Sequence, residues 1–120
     1  MYKIEVKSSF SAAHNLRGYK GKCEDLHGHN WNVQVGVSSA DLNELGMVAD
    51  FKEVKEVLAS VVTELDHKYL NDVERFREVN PTSENIARYV FERIRDIKPE
   101  WKLEKVTVWE TGSSAATYGE

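Results

Sequence analysis

Apolar and polar residues alternate from Tyr2 to His14, with Tyr2, Ile4, Val6, Ser8, Phe10, Ala12 and His14 at even positions and Lys3, Glu5 and Lys7 heading a more polar odd set. Such period-two alternation predicts a half-buried strand. It places His14 on the same face as Phe10 and Ala12, pointing inward. A clearer alternation runs from His27 to Val37, where His27, His29, Trp31, Val33, Val35 and Val37 interleave with Asn30, Asn32 and Gln34. The inward row of that second strand opens with two histidines. Between the two strands, Gly18 and Gly21 with Arg17, Lys20 and Lys22 mark residues 15–26 as a loop. Met47-Val48-Ala49 reads as a further, brief strand.

The period then changes. Asp50-Phe51-Lys52-Glu53 has the form of a capping box, and Phe51, Val54, Leu58, Val61 and Leu65 follow at spacings of three or four. This predicts a helix ending near Leu65, with Asp66 and His67 at its C-terminal edge. Pro81-Thr82-Ser83 opens a second helix, capped by Thr82 or Ser83, whose apolar positions Ile86, Val90, Ile94 and Ile97 run to Pro99. Leu103 to Thr111 predicts a third long strand, with Val106, Val108 and Glu110 on one face and Thr107, Trp109 and Thr111 on the other. The turn at Gly112-Ser113-Ser114 then leads into a last strand through Tyr118. The order β-β-α-α-β-β predicts an α+β fold, an antiparallel four-stranded sheet with two helices on one face. We expect the face away from the helices to carry His14, His27, His29 and Glu110 and to be covered by a partner subunit.

Length and composition narrow the function. A chain of 120 residues without a linker predicts one domain over residues 1–120. A net charge of −4 argues against a nucleic-acid or membrane-surface binder, since those need clustered Lys and Arg, but it leaves room for a small anionic ligand. A single cysteine cannot form an intrachain disulfide, and no apolar run suggests a signal peptide or a membrane span. The expected setting is cytoplasmic.

The chemistry gathers in Cys23-Glu24-Asp25-Leu26-His27-Gly28-His29-Asn30-Trp31. Side chains at i and i+2 of a strand share a face, so His27 and His29 can aim two imidazoles at one point. His14 supplies a third. Three histidines without a fourth protein ligand make the open site of catalytic zinc. Zinc suits imidazole ligation, although nickel, copper or ferrous iron accept the same donors. Cys23 reads equally as a fourth ligand, a small buried hydrophobe or a reactive thiol with a lowered pKa. For Asp66-His67, the bland reading is a histidine at a helix C-terminus, and the functional one is a carboxylate that orients a proton-transfer imidazole. Glu110, in line with two valines, needs a donor partner if buried, and the 2-amino-4-oxo edge of a pterin or guanine offers two adjacent N–H groups. Trp31 and Trp109 read as core. Arg17, Lys20 and Lys22 read as a solvated loop that could meet phosphates.

Taken together, Phe10-Ser-Ala-Ala-His14, Cys23-x3-His27-Gly-His29-Asn30, Asp50-Phe51, Leu65-Asp-His-Lys-Tyr-Leu-Asn71, Pro81-Thr-Ser-Glu-Asn85 and Trp109-Glu-Thr111 resemble the 6-pyruvoyltetrahydropterin synthase superfamily. The three-residue gap between Cys23 and His27 is similar to its 6-carboxy-5,6,7,8-tetrahydropterin synthases of queuosine biosynthesis. The resemblance implies a tunnelling fold whose sheets join into a trimeric barrel, with two trimers stacked as a homohexamer and active sites between subunits. It implies Zn²⁺ on His14, His27 and His29, and Cys23 as a catalytic base. It further implies His67 oriented by Asp66 as a second proton-transfer group and Glu110 gripping the pterin, with Thr82 and Ser83 nearby. Lys22 is a candidate triphosphate contact. The implied reaction is a carbon–carbon lyase step converting 7,8-dihydroneopterin triphosphate to 6-carboxy-5,6,7,8-tetrahydropterin with loss of triphosphate and acetaldehyde. The alternatives are a 6-pyruvoyltetrahydropterin synthase, or a zinc-containing pterin- or guanine-binding protein without catalysis.

Overall fold

The alternating stretches form one antiparallel sheet. The computed structural model describes residues 1–21 and 24–120, so the roles expected of Lys22 and Cys23 fall on residues outside the described ones. Strands β1 (Tyr2–His14) and β2 (His27–Ser39) precede helices α1 (Phe51–Val62) and α2 (Ser83–Ile97), and strands β3 (Lys102–Thr111) and β4 (Ser114–Tyr118) follow. Spatial order equals chain order, β1-β2-β3-β4. Two single-turn 3₁₀ helices, Leu70–Asp72 and Glu74–Phe76, lie between α1 and α2.

The core forms where the apolar rows meet the helices. Val6, Phe10 and Ala12 of β1, Trp31, Val33, Val35 and Val37 of β2, and Val106 and Val108 of β3 pack with Val54, Leu58 and Val61 of α1 and with Ile86, Val90, Phe91 and Ile94 of α2. α1 covers β1, and α2 covers β3 and β4. Trp31 stacks on Phe10, ring centroids 5.9 Å apart, and its indole N–H donates to the Ala12 carbonyl. This satisfies the one polar atom of a fully buried side chain. Among the described residues, no helix is long and apolar enough to cross a membrane.

Several expectations need correction. The histidine row does not lie on the face away from the helices. It continues the row of Phe10, Ala12, Trp31 and Val33, all buried beneath α1 and α2, because a period-two pattern cannot switch faces within one strand. The uncovered face is instead polar, with Lys7, Asn32, Gln34 and Thr111 lining a hollow of about 270 Å³. Trp109 lines that hollow rather than the core.

Met47-Val48-Ala49 is not a strand. The Asn43 side chain accepts from the N–H groups of Leu45 and Met47, which folds the segment on itself. α1 stops at Val62, where i→i−3 bonds such as Leu65 N–H to the Val62 carbonyl tighten the chain. Asp66 and His67 are therefore not at a helix end. Phe51 is exposed instead of belonging to the stripe, and Asp50 caps α1 through Lys52 N–H while Glu53 pairs with Lys98.

Candidate metal centre and the groove beside it

Antiparallel pairing brings the chemistry to one end of the sheet. His14 pairs with His27, and Ala12 with His29, at the end of β1 and the start of β2. Glu110 lies near the end of β3, in phase with Val106 and Val108. It is the extra residue of a bulge in the ladder with β4, where Trp109 faces Ala115 and Thr111 faces Ser114. Bulges re-aim side chains at such rims. The strand register expected from the sequence holds at Glu110.

His14, His27, His29 and Glu110 each offer a donor atom, and these four atoms all lie within 4.8 Å of one another. His14 Nε2 is 3.1 Å from His27 Nε2 and 3.2 Å from Glu110 Oε1, and His29 Nε2 is 3.1 Å from the same oxygen. Tetrahedral bonds of roughly 2.0–2.1 Å to a divalent metal space neighbouring donors about 3.3 Å apart. These three separations match that edge.

The tautomers support the same reading. His14 Nδ1 donates to the Pro81 carbonyl at 2.8 Å, and His27 Nδ1 donates to the Asp25 carbonyl at 2.9 Å. A carbonyl oxygen only accepts, so the neutral rings carry their proton on Nδ1 and aim the Nε2 lone pairs at each other. Two lone pairs at that distance repel unless a cation lies between them. His29 Nε2 is buried without a hydrogen-bond partner, since its approach to Glu110 is misaligned. Burial lowers the pKa of His29, an effect that Glu110 opposes and His14 and His27 reinforce. Neutral imidazole is the ligand form. Trp31 stands edge-on to His14 and His29, ring centroids 4.9 and 5.2 Å away, and closes the apolar floor. The donor set fits a metal ion.

Asp66 and His67 form a separate feature. Asp66 Oδ1 accepts from Ser11 N–H at 2.9 Å and lies 3.0 Å from His67 Nδ1. The Ser11 N–H first, then His67, hold the Asp66 carboxyl below the usual range. His67 takes φ 58°, in the left-handed region, held by its N–H on the Ser11 carbonyl while the Lys68 carbonyl accepts from Ala13 N–H. Such a backbone costs about 1–3 kcal/mol and persists where its surroundings determine it. His67 opens on a groove of about 540 Å³ along the β1 edge, lined also by Ser11, His29, Asn30 and Tyr69. His67 is 82% exposed, so within one subunit it faces outward rather than into the imidazole cluster.

Of the remaining candidates, Thr82 is the N-cap of α2, accepting from Asn85 N–H, and Ser83 is the helix's first residue. The Pro81 carbonyl, just before both, bonds His14 at Nδ1, the ring nitrogen turned away from the cluster. Arg17 is no solvated loop residue, because its Nη2 donates to the carbonyls of Asn71 and Phe76. The carbonyls of Pro81 and Asp25 orient the ligands yet escaped the sequence reading, since every residue carries such an acceptor. A proline just before a capping threonine was the only available signal.

With this geometry in view, residues 3–120 match the family described as 6-pyruvoyl tetrahydropterin synthase. The chain belongs to that family. A relative in this family, the 6-carboxy-5,6,7,8-tetrahydropterin synthase of Synechocystis sp., is 42% identical over 123 residues, covering 98% of this chain and 93% of its own. The dihydroneopterin monophosphate aldolase of Pyrococcus furiosus is 39% identical over 109 residues, covering 90% and 89%. The solved structure of Caenorhabditis elegans 6-pyruvoyl tetrahydropterin synthase superposes with a TM-score of 0.85 at 34% identity, covering 99% of this chain and 95% of that one. The fold is the tunnelling fold of the 6-pyruvoyl tetrahydropterin synthase family.

Proposed function

We propose that the protein is a zinc-dependent carbon–carbon lyase that converts 7,8-dihydroneopterin triphosphate to 6-carboxy-5,6,7,8-tetrahydropterin, with loss of triphosphate and acetaldehyde, as a step of queuosine biosynthesis. The observation that carries the reading is the convergence of the His14, His27 and His29 ring nitrogens, two of them fixed as lone-pair donors by backbone carbonyls. The Synechocystis relative bears the name of that product. Zinc held there supplies Lewis acidity, making C–H bonds beside the substrate's oxygens more acidic and easing the loss of triphosphate.

The chain's own residues handle the protons and the ring. Cys23, as thiolate, takes a proton from the side chain of the substrate. His67, oriented by Asp66, gives or takes a proton on the opposite side. Its exposure supports a site shared between subunits of a homohexamer, in which a neighbour's His67 completes the centre. Thr82 and Ser83, which follow the Pro81 carbonyl bonded to His14, are proposed to contact substrate, and Lys22 is proposed to meet the triphosphate. Glu110 is proposed to accept the amino edge of the pterin. Its Oε1 faces the imidazoles in the free chain, so gripping the ring requires the carboxylate to turn outward.

The test is to incubate zinc-loaded protein with 7,8-dihydroneopterin triphosphate and identify the C6 substituent by mass spectrometry. We expect a carboxylate, with acetaldehyde released. A pyruvoyl group at C6 would assign the protein to the pyruvoyl-forming reaction and overturn the proposal. Turnover of the monophosphate alone would favour the aldolase chemistry named for the Pyrococcus relative. Pterin binding without turnover would leave a zinc-containing binding protein.

A further inference from the structure

His14 is the most deeply buried of the three imidazoles, and one acceptor, the Pro81 carbonyl, sets the position of its proton. That carbonyl is itself aimed by a local device. Thr82 N–H donates to the Asn80 carbonyl at 2.9 Å, which closes a three-residue turn with Pro81 at its centre. In such an i→i+2 turn the flanking groups bond each other and the central carbonyl points outward. The central φ of about −75° lies close to the value the proline ring imposes. The Asn80 carbonyl also accepts from Asn85 Nδ2 at 2.9 Å, so the first turn of α2 holds the same atom.

The Asn80 side chain then ties the turn to the chain leaving β1. Arg17 N–H donates to Asn80 Oδ1 at 2.9 Å, and Asn80 Nδ2 donates to the Arg17 carbonyl at 3.0 Å. This two-point grip is what a neighbouring strand would supply. It closes a ring from His14 along the chain to Arg17, across to Asn80, and back through Pro81 to the imidazole.

We propose that Asn80, Pro81 and Asn85 form a positioning device that fixes the tautomer and aim of His14 for metal binding. The proposal rests on the metal reading above. Pro81 is buried, so its carbonyl without the imidazole would lack a partner, and the imidazole without the carbonyl would share its proton between both nitrogens. The form protonated on Nε2 has no lone pair there to offer the metal. Loss of an outer partner of this kind costs about 10–100-fold in metal affinity.

Asn80→Ala and Asn85→Ala, made in the full chain, test the device through two measurements. Long-range ¹H–¹⁵N NMR of the metal-free protein reads the His14 tautomer, and competition with a chromophoric chelator gives the zinc Kd. We expect the wild type to hold its proton on Nδ1, and both variants to show mixed tautomers and zinc binding weakened by about 10–100-fold. A core variant, Val54→Ala, should lose stability with tautomer and Kd unchanged. If Asn80→Ala fails to fold, Asn85→Ala, which removes a single bond, carries the test. Unchanged tautomer and affinity in the folded variants overturn the proposal, as does a mixed tautomer in the wild type. A wild type with the Nδ1 proton in place that binds no zinc would instead sink the metal reading, while the tautomer shift still decides the role of the turn.

Discussion

Tyr89 and Arg93, one turn apart on α2, both bond the Glu64 carboxylate beyond the end of α1, with Arg93 gripping it at 3.0 and 2.7 Å. Arg93 first, then Tyr89, hold the Glu64 carboxyl below the usual range, and burial with the Glu64 bond pushes the Tyr89 phenol up to about 12. Because the tyrosine's folded-state value lies above its ordinary value of 10.0, its contribution to stability is complete below pH 10 and disappears as pH rises toward about 12. The glutamate works the other way. Its contribution is present above pH 4.5 and is lost as pH falls through the lowered folded-state value. Denaturant midpoints measured from about pH 2 to pH 12 should show both arms; Tyr89→Phe should abolish the alkaline arm and shrink the acid one, whose larger part, from Arg93, remains. At this scale the three histidines were legible because a two-residue period states which side chains share a face. The acceptors on Pro81 and Asp25 were not legible, because backbone groups leave no mark in the sequence.

The elements that carry a chemical start signal were also readable. Asp50 caps α1 through Lys52 N–H at 2.9 Å, and Thr82 caps α2 through Asn85 N–H at 3.1 Å. Asp50→Ala should cost about 1 kcal/mol of stability, read as a lower denaturant midpoint at unchanged slope. An unchanged midpoint would mean that tertiary packing, and not the cap, sets the start of α1. The end of α1 was harder to place. Its apolar spacing continues to Leu65, which is indeed buried, but the backbone tightens after Val62 without a glycine or proline to announce it. The 3₁₀ turns at Leu70–Asp72 and Glu74–Phe76 are too short to show a period, yet they bury Leu70 and Phe76 and supply the Phe76 carbonyl that holds Arg17.

For the whole molecule, the element order and the antiparallel sheet followed from alternation and turns, but the pairing of β2 with β3 and the side of the sheet that carries the histidines did not. Alternation says that His14, Phe10 and Ala12 share a face. Only the packing of Val54, Leu58, Val90 and Ile94 onto that face shows that it is the helix-covered one. The consequence is functional. The imidazoles sit at the rim of the core, on the apolar floor made by Trp31, and His29 shares the groove along the β1 edge with the exposed His67. An imidazole left as exposed as His67 is what the proposed site shared between subunits would cover.

Zinc K-edge X-ray absorption of the metal-loaded protein reads whether three imidazoles hold zinc and leave a position for substrate. The expected result is three imidazole nitrogens at about 2.0–2.1 Å, completed by an exchangeable water oxygen. A sulfur scatterer at about 2.3 Å would place Cys23 in the shell, close the site, and contradict the assignment of Cys23 as the base.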